Sequence, residues 1–251
     1  MDSLRQRWLM VVAMALLLGP CREADADSPP LKLLYGGYYP LVIPAQDQTL
    51  PSGLVVELVR SVALIGGFNL AETTVPYARF MVMAGDRNYD LFAPVERLAS
   101  TEANFKWIAP LLSENLVLLS HDGLGDARSS AVGVLRKGVC EEYAEGHGFV
   151  EIDPATDHPT NAKKYAAGRI QSWIGGRNAL RLGWKLAGLD DASLHLDRAK
   201  VIGRFDMYLA GPASMPTDEA EAWRKAFEAF KASGGYGELI RKYGWIEGTS
   251  P

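Results

Sequence analysis

From Leu31 onward the chain alternates short β-forming runs with apolar residues at helical spacing. LKLLYGGYYPLVI is rich in β-formers, Pro51, Ser52 and Gly53 interrupt it, and LVVELVRSVALIGG has the 3.6-residue apolar period, which together predict strand, turn and helix. TTVPYARFMVMAGDRNYDLFAPV predicts a helix followed by a short buried strand. After NLVLLSHDGLGD a second block begins: SSAVGVLRKGVCEEYAEGHGFVEI predicts strand, Gly-containing turn, helix and strand, and AAGRIQSWIGG with RNALRLGWKLAG extends it by a strand and a helix. FDMYLAGPAS predicts a further strand. In MPTDEAEAWRKAFEAFKASGGYGELIRKYG, Thr217 is the expected helix cap, Trp223, Phe227 and Phe230 the buried stripe, and Gly234 with Gly235 the stop. Alternating β and α elements predict an α/β fold with a largely parallel sheet, built as two units in series.

Composition narrows the class. At 251 residues, 48% of them hydrophobic, the chain can bury a substantial core in one or two domains. The formal charge is −4 and the lysines and arginines are scattered, so the basic stripe of a nucleic-acid binder is missing and no nucleic-acid partner is expected.

The first residues read as an export signal. Arg5 and Arg7 supply positive charge, Trp8 to Gly19 a short apolar core, and Ala24 with Ala26 an A-x-A cleavage site, so residues 1–26 are expected to be removed. The run is shorter than the ~20 residues that span a bilayer. LLLGPC offers the alternative of lipidation at Cys21, against which Pro20 is a poor fit. Cleavage after Ala26 leaves Cys140 as the sole cysteine, and a packed small hydrophobe is its plainer reading.

Several segments together resemble bacterial solute-binding protein family 3, the periplasmic receptors of amino-acid-type ABC importers. They are GGYYPLVI with GLVVELV, VPYAR, YDLFAPVER with FKWIAPLL, VGVLRKGVCEEY, AAGRIQSWIGG and the closing PTDEAEAWRKAFEAFKASGGYGELIRKYG, in an order that spans Leu31 to about Gly244. The resemblance implies a two-lobe periplasmic-binding-protein fold (type II) with a ligand cleft between lobes. One lobe would be discontinuous, residues 29–119 plus 204–251, and the other would hold residues 120–203. A ligand touching both lobes stabilises the closed state, so binding is signalled as a change of shape.

The resemblance also marks where a ligand would be held. The family's carboxylate-gripping arginine lies six residues before an aromatic; counted back from Trp107, that position is Thr101, and Arg97 is the nearest candidate replacement, with pairing to a neighbouring acid as the structural alternative. The family's ammonium-binding acids map to Gln171 and Gly176, so that anchor too is replaced. Gly138 and Val139 open a helix whose free N–H groups suit an anion, although Glu141 and Glu142 are alternative partners for its dipole. Tyr38 follows the first strand where relatives present an aromatic, as does Tyr39 unless it merely packs on Pro40. Tyr77 and Arg79 begin a helix that can face the cleft, with Arg79 alternatively paired to Asp90 or Glu57. Trp107 and Trp173 are expected to be core residues.

Neither catalysis nor a metal site is expected. His121, His147, His158 and His195 are widely separated, and the chain has neither a P-loop nor a G-x-S-x-G motif. No cofactor is expected. The expected function is therefore that of a monomeric periplasmic receptor capturing a small polar solute, amino acid-like or another small anion, for an ABC permease. The alternative is a periplasmic sensor subunit regulating a membrane signalling protein through the same closure.

Overall fold

The computed structural model describes residues 29–38, 41–45, 49–84, 88–121 and 127–248. The expected leader, residues 1–26 with Cys21, and Tyr39 lie outside the described residues. β1 (Leu31–Gly37) pairs in parallel with β2 (Leu70–Pro76) on one side and β3 (Leu91–Glu96) on the other. Parallel neighbours need crossovers, and helices α1 (Leu54–Gly66) and α2 (Tyr77–Met83) provide them. α1 forms because Leu54, Val55, Leu58, Val59 and Val62 make one buried stripe, and it ends where Gly67 takes a left-handed φ of 68°.

The same design recurs further along the chain. β5 (Ala131–Leu135) pairs in parallel with β6 (Glu151–Ala155) and β7 (Ser172–Gly176). Helices α3 (Val139–Gly146) and α4 (His158–Ala166) connect these strands, and α5 (Arg177–Leu186) follows β7. Between the two trios run the long strands β4 (Phe105–Ser120) and β8 (Lys200–Pro212), paired antiparallel from Phe105 opposite Pro212 to Leu118 opposite Lys200. β8 borders β3 and β4 borders β7, giving one eight-stranded sheet in the order β2-β1-β3-β8-β4-β7-β5-β6. The sheet is therefore mixed, where the sequence pattern predicted a largely parallel one. The parallel register holds within each trio, and the three central pairings are antiparallel because the two long strands run in opposite directions.

Two more helices, α6 (Thr217–Ala232) and α7 (Gly235–Tyr243), close the first trio. Trp223, Phe227 and Phe230 are buried as their spacing predicts, and Phe68 stacks on Trp223 at 4.2 Å. Thr217 is not the cap: Pro216 holds that position, and Thr217 is the first helical residue, its hydroxyl accepting from Lys106 Nζ at 3.3 Å. Gly234, at φ 86°, turns α6 into α7.

The segment after α7 returns to the sheet's centre. Trp245 is buried, Ile246 N–H donates to Asn178 Oδ1 (2.9 Å), Asn178 Nδ2 donates to the Ile246 carbonyl (2.6 Å), and Gly248 N–H donates to the Ser113 carbonyl (3.2 Å). A strap from the first trio's helices is thus fastened to α5 of the second. No helix among the described residues is long and apolar enough to cross a membrane.

Candidate functional site

β3 is buried along its whole length, LFAPVE, and ends on a carboxylate. Glu96 is 1% exposed, and its Oε2 accepts the N–H of Val139, the first residue of α3, at 2.7 Å. A strand end of the first trio is thereby joined to a helix N-terminus of the second. Gly138 makes the approach close: a Cβ there would lie 3.4 Å from Glu96 Oε2 and 3.5 Å from Tyr77 Cε1.

Aromatic rings surround the carboxylate. Tyr38, just past β1, and Tyr77, at the start of α2, are each 1% exposed and meet edge to face with ring centres 5.3 Å apart. Tyr38 also meets His158, the first residue of α4, at 5.5 Å. Two glycines admit His158: a Cβ at Gly175 would lie 3.4 Å from its Cε1, and one at Gly183 would come within 2.6 Å of its own Cβ. Cys140 closes the group on α3 as a buried free thiol. One cluster is therefore assembled from β1, α2 and β3 on one side and α3 and α4 on the other.

Burial sets its electrostatics. It drives the Glu96 carboxyl up to about 7; the Val139 N–H and the Tyr77 and Tyr38 hydroxyls pull the other way, and Glu142 adds to the rise. Burial, reinforced by Glu96, holds both phenols well above their usual range. Burial lowers His158 to about 4 against the pull of Asp157, so its imidazole is neutral. The Cys140 thiol is pushed far up, again chiefly by burial and then by Glu96, which makes it inert as a nucleophile near neutral pH.

Glu96 Oε1, the Tyr38 and Tyr77 hydroxyls and both His158 ring nitrogens are buried without a formed hydrogen bond. The two hydroxyls act on the Glu96 carboxyl from positions outside good hydrogen-bond geometry. Buried polar atoms in this condition are uncommon, and five in one cluster mark it out.

Of the residues singled out in the sequence, Tyr38, Tyr77, Gly138 and Val139 converge here. The α3 N–H groups are not free as expected: Val139 N–H is bonded to Glu96, and the neighbouring Lys137 N–H donates to Glu141 Oε2 at 2.6 Å. Arg97 turns away from Glu96. Its Nε and Nη2 donate to Glu102 at 2.9 and 2.7 Å, and its guanidinium lies over Trp107 (5.2 Å) and Tyr208 (5.4 Å). Thr101 is buried behind the site, where its hydroxyl accepts Leu98 N–H (3.0 Å) and donates to the Glu96 carbonyl (2.9 Å), fixing the turn that leaves β3. Arg79 is exposed on α2, while Glu57 is engaged by Lys242 and Tyr243, and Asp90 by the Lys32 N–H. Trp173 is fully buried.

Gly176 lies at a second buried acid, on the central strands. A Cβ there would come within 2.5 Å of Glu114 Cγ. Glu114 Oε1 accepts the backbone N–H (2.9 Å) and Nδ2 (3.0 Å) of Asn178 at the start of α5, and burial lifts the carboxyl to about 8. This group is continuous with the C-terminal strap through Asn178. A separate cavity of about 290 Å³ opens between β4 and helices α6 and α7, lined by Leu111, Phe227, Tyr236 and Ile240 among others. Among the described residues no group of three His, Cys, Asp or Glu side chains is placed to hold a metal ion.

The central residues that sequence reasoning missed are Glu96 and His158. For Glu96 the signal was present: an ionisable residue closing an otherwise apolar, fully buried strand has to meet a partner. His158 gave no such signal, because its burial depends on Gly175 and Gly183, distant in sequence.

The chain superposes on many solved structures. A histidine kinase sensor domain with similarity to periplasmic binding proteins matches with a TM-score of 0.74 at 15% identity, over 87% of this chain and 98% of that one. The fold is that of the two-lobe periplasmic binding proteins. A GluR0 ligand-binding core from Nostoc punctiforme, solved with L-glutamate, matches at 0.70 and 16% identity, over 85% of this chain and 99% of that one. The arginine-, lysine-, histidine-binding protein ArtJ from Geobacillus stearothermophilus matches at 0.70 and 13%, over 88% and 97%. No family model matches the chain, and no curated protein matches it in sequence.

Proposed function

We propose that this chain is a periplasmic solute receptor of the family 3 type, which captures a small polar molecule between its lobes and delivers it to an ABC importer. The lobes on this reading are residues 29–119 plus 204–251 and residues 120–203, with β4 and β8 as the crossing segments. The observation that carries the proposal is the Glu96–Val139 hydrogen bond within a buried cluster contributed from both sides of the sheet. A solute gripped there contacts both lobes, and only a ligand with different affinity for the open and closed arrangements shifts the balance between them. Amino-acid-binding structures among the neighbours support the ligand class in outline.

A second reading is supported by the sensor-domain neighbour: the same closure would report to a membrane signalling protein. Genes for a permease and an ATPase beside this one favour transport, and a gene for a kinase favours sensing.

The test is a melting-temperature screen with amino acids, amines, organic acids and sugars. A ligand at 100 times its dissociation constant stabilises by about 3 kcal/mol. An upward shift with one chemical class is expected, and a screen in which nothing moves the transition refutes the receptor reading.

A further inference from the structure

We propose that the cleft selects a cationic amine lacking a carboxylate, with Glu96 as its counter-ion and the Tyr38 and Tyr77 rings as its walls. This rests on the receptor reading and narrows it.

The argument begins with what already occupies the anion position. A helix N-terminus attracts a carboxylate, and at α3 that carboxylate is the protein's own Glu96, bonded to Val139 N–H at 2.7 Å. A ligand carboxylate arriving there has to displace Glu96 or lie against it as a like charge.

The remaining groups are also unsuited to an anion. His158 is neutral, Arg97 is committed to Glu102, and the other charged group acting on Glu96 is a second carboxylate, Glu142. A cation meets the opposite conditions. Glu96 Oε1 is buried with no formed hydrogen bond, and the Tyr38 and Tyr77 hydroxyls are buried acceptors in the same condition. An ammonium can donate to all three of these oxygens and gains from the faces of the surrounding rings. A buried ionised carboxylate is costly alone and tolerable when paired.

The ionisable groups facing Glu96 are Tyr38 beyond β1, Tyr77 on α2, and Cys140 and Glu142 on α3; His158 on α4 faces Tyr38, and Glu114 on β4 acts on Tyr38 and Cys140. The phenols and the thiol are held well above the window of pH 6 to 8 and His158 below it, while Glu114, lifted to about 8, gains negative charge in the same direction as Glu96. Ionisation of Glu96 across this window therefore strengthens the binding of a cation as pH rises.

The experiment is a calorimetric titration of the chain at pH 6 and pH 8. The probes are ethanolamine, putrescine and agmatine as amines, alanine, glutamate and lysine as amino acids, and succinate as an anion. The expected result is saturable binding of an amine, tighter at pH 8 than at pH 6. Glu96→Gln should weaken it roughly 10- to 150-fold, the range for a hydrogen bond to a charged group, and reduce the pH effect to the smaller share that Glu114 supplies. Tyr38→Leu provides a second reading should Glu96→Gln not fold: it should weaken the amine and leave any carboxylate probe unaffected. Binding of an amino acid or succinate in preference to every amine, or amine binding that Glu96→Gln leaves unchanged, overturns the inference and leaves the receptor reading standing. Silence of every probe in both classes counts against both.

Discussion

Glu114 lies on a central strand, beneath the start of α5, and its burial makes a specific prediction about pH. Burial holds its carboxyl at about 8 in the folded chain, against an ordinary value of 4.5. Below pH 4.5 both folded and unfolded chains carry the proton, so the group has no effect. Between the two values the unfolded chain releases the proton and the folded chain keeps it, so stability falls as pH rises. Above about 8 both forms are ionised and the slope vanishes. At about 1.4 kcal/mol for each pH unit of difference, the ceiling on this loss is about 5 kcal/mol. Glu114→Gln keeps an oxygen to accept the two Asn178 donors and has no proton to lose. It also places an NH₂ where Oε2 has no formed bond, a cost that is independent of pH and cancels when one protein is compared with itself at two pH values. The assay is the melting temperature of wild type and variant at pH 5 and pH 8. Wild type should lose stability between them, and the variant should lose less, by an amount approaching 10 °C at the ceiling for a chain of this size. Equal losses in the two proteins would refute the assignment of a buried, protonated Glu114.

Three further substitutions probe neighbouring parts of the account. Gly176→Ala, whose Cβ would come within 2.5 Å of Glu114 Cγ, should destabilise by about 1–3 kcal/mol in chemical denaturation, the usual range for overpacking. Asn178→Ala strips the strap of both its bonds to Ile246 and leaves Glu114 short of one donor; a loss of about 2 kcal/mol is expected, with faster amide exchange at Ile246. Arg97→Ala should leave ligand affinity unchanged and the melting temperature within roughly 3 °C, since the guanidinium serves an exposed pair with Glu102.

The elements were legible in the sequence wherever one face of them is buried. The α1 stripe and Trp223, Phe227 and Phe230 announce themselves by spacing alone, and the strand LFAPV, buried on both faces, by its unbroken apolar run. The direction of the central strands was not, because β4 is buried over much of its length without strict alternation, and its pairing with β8 joins residues about ninety positions apart, as Ser113 and Asp206 are. Part of the cluster was legible: Tyr38, Tyr77, Gly138 and Val139, each singled out in the sequence, come together at Glu96. Arg97 was weighed ahead of Glu96 because a guanidinium is the expected partner of a ligand carboxylate, yet the strand's end turns Glu96 inward and the Thr101 turn sends Arg97 out to Glu102. A position one residue along a strand changes which face a side chain serves, and here that step exchanges a cation for an anion.

The central claim is that solute is held at the cluster of Glu96, Tyr38, Tyr77 and Val139. The measurement that tests it most directly is an equilibrium titration, with whichever solute raises the melting temperature, of wild type, Tyr77→Ala and Arg97→Ala side by side. One-to-one binding that Tyr77→Ala weakens at least roughly tenfold and Arg97→Ala leaves intact is the predicted result. Full affinity in Tyr77→Ala would contradict it.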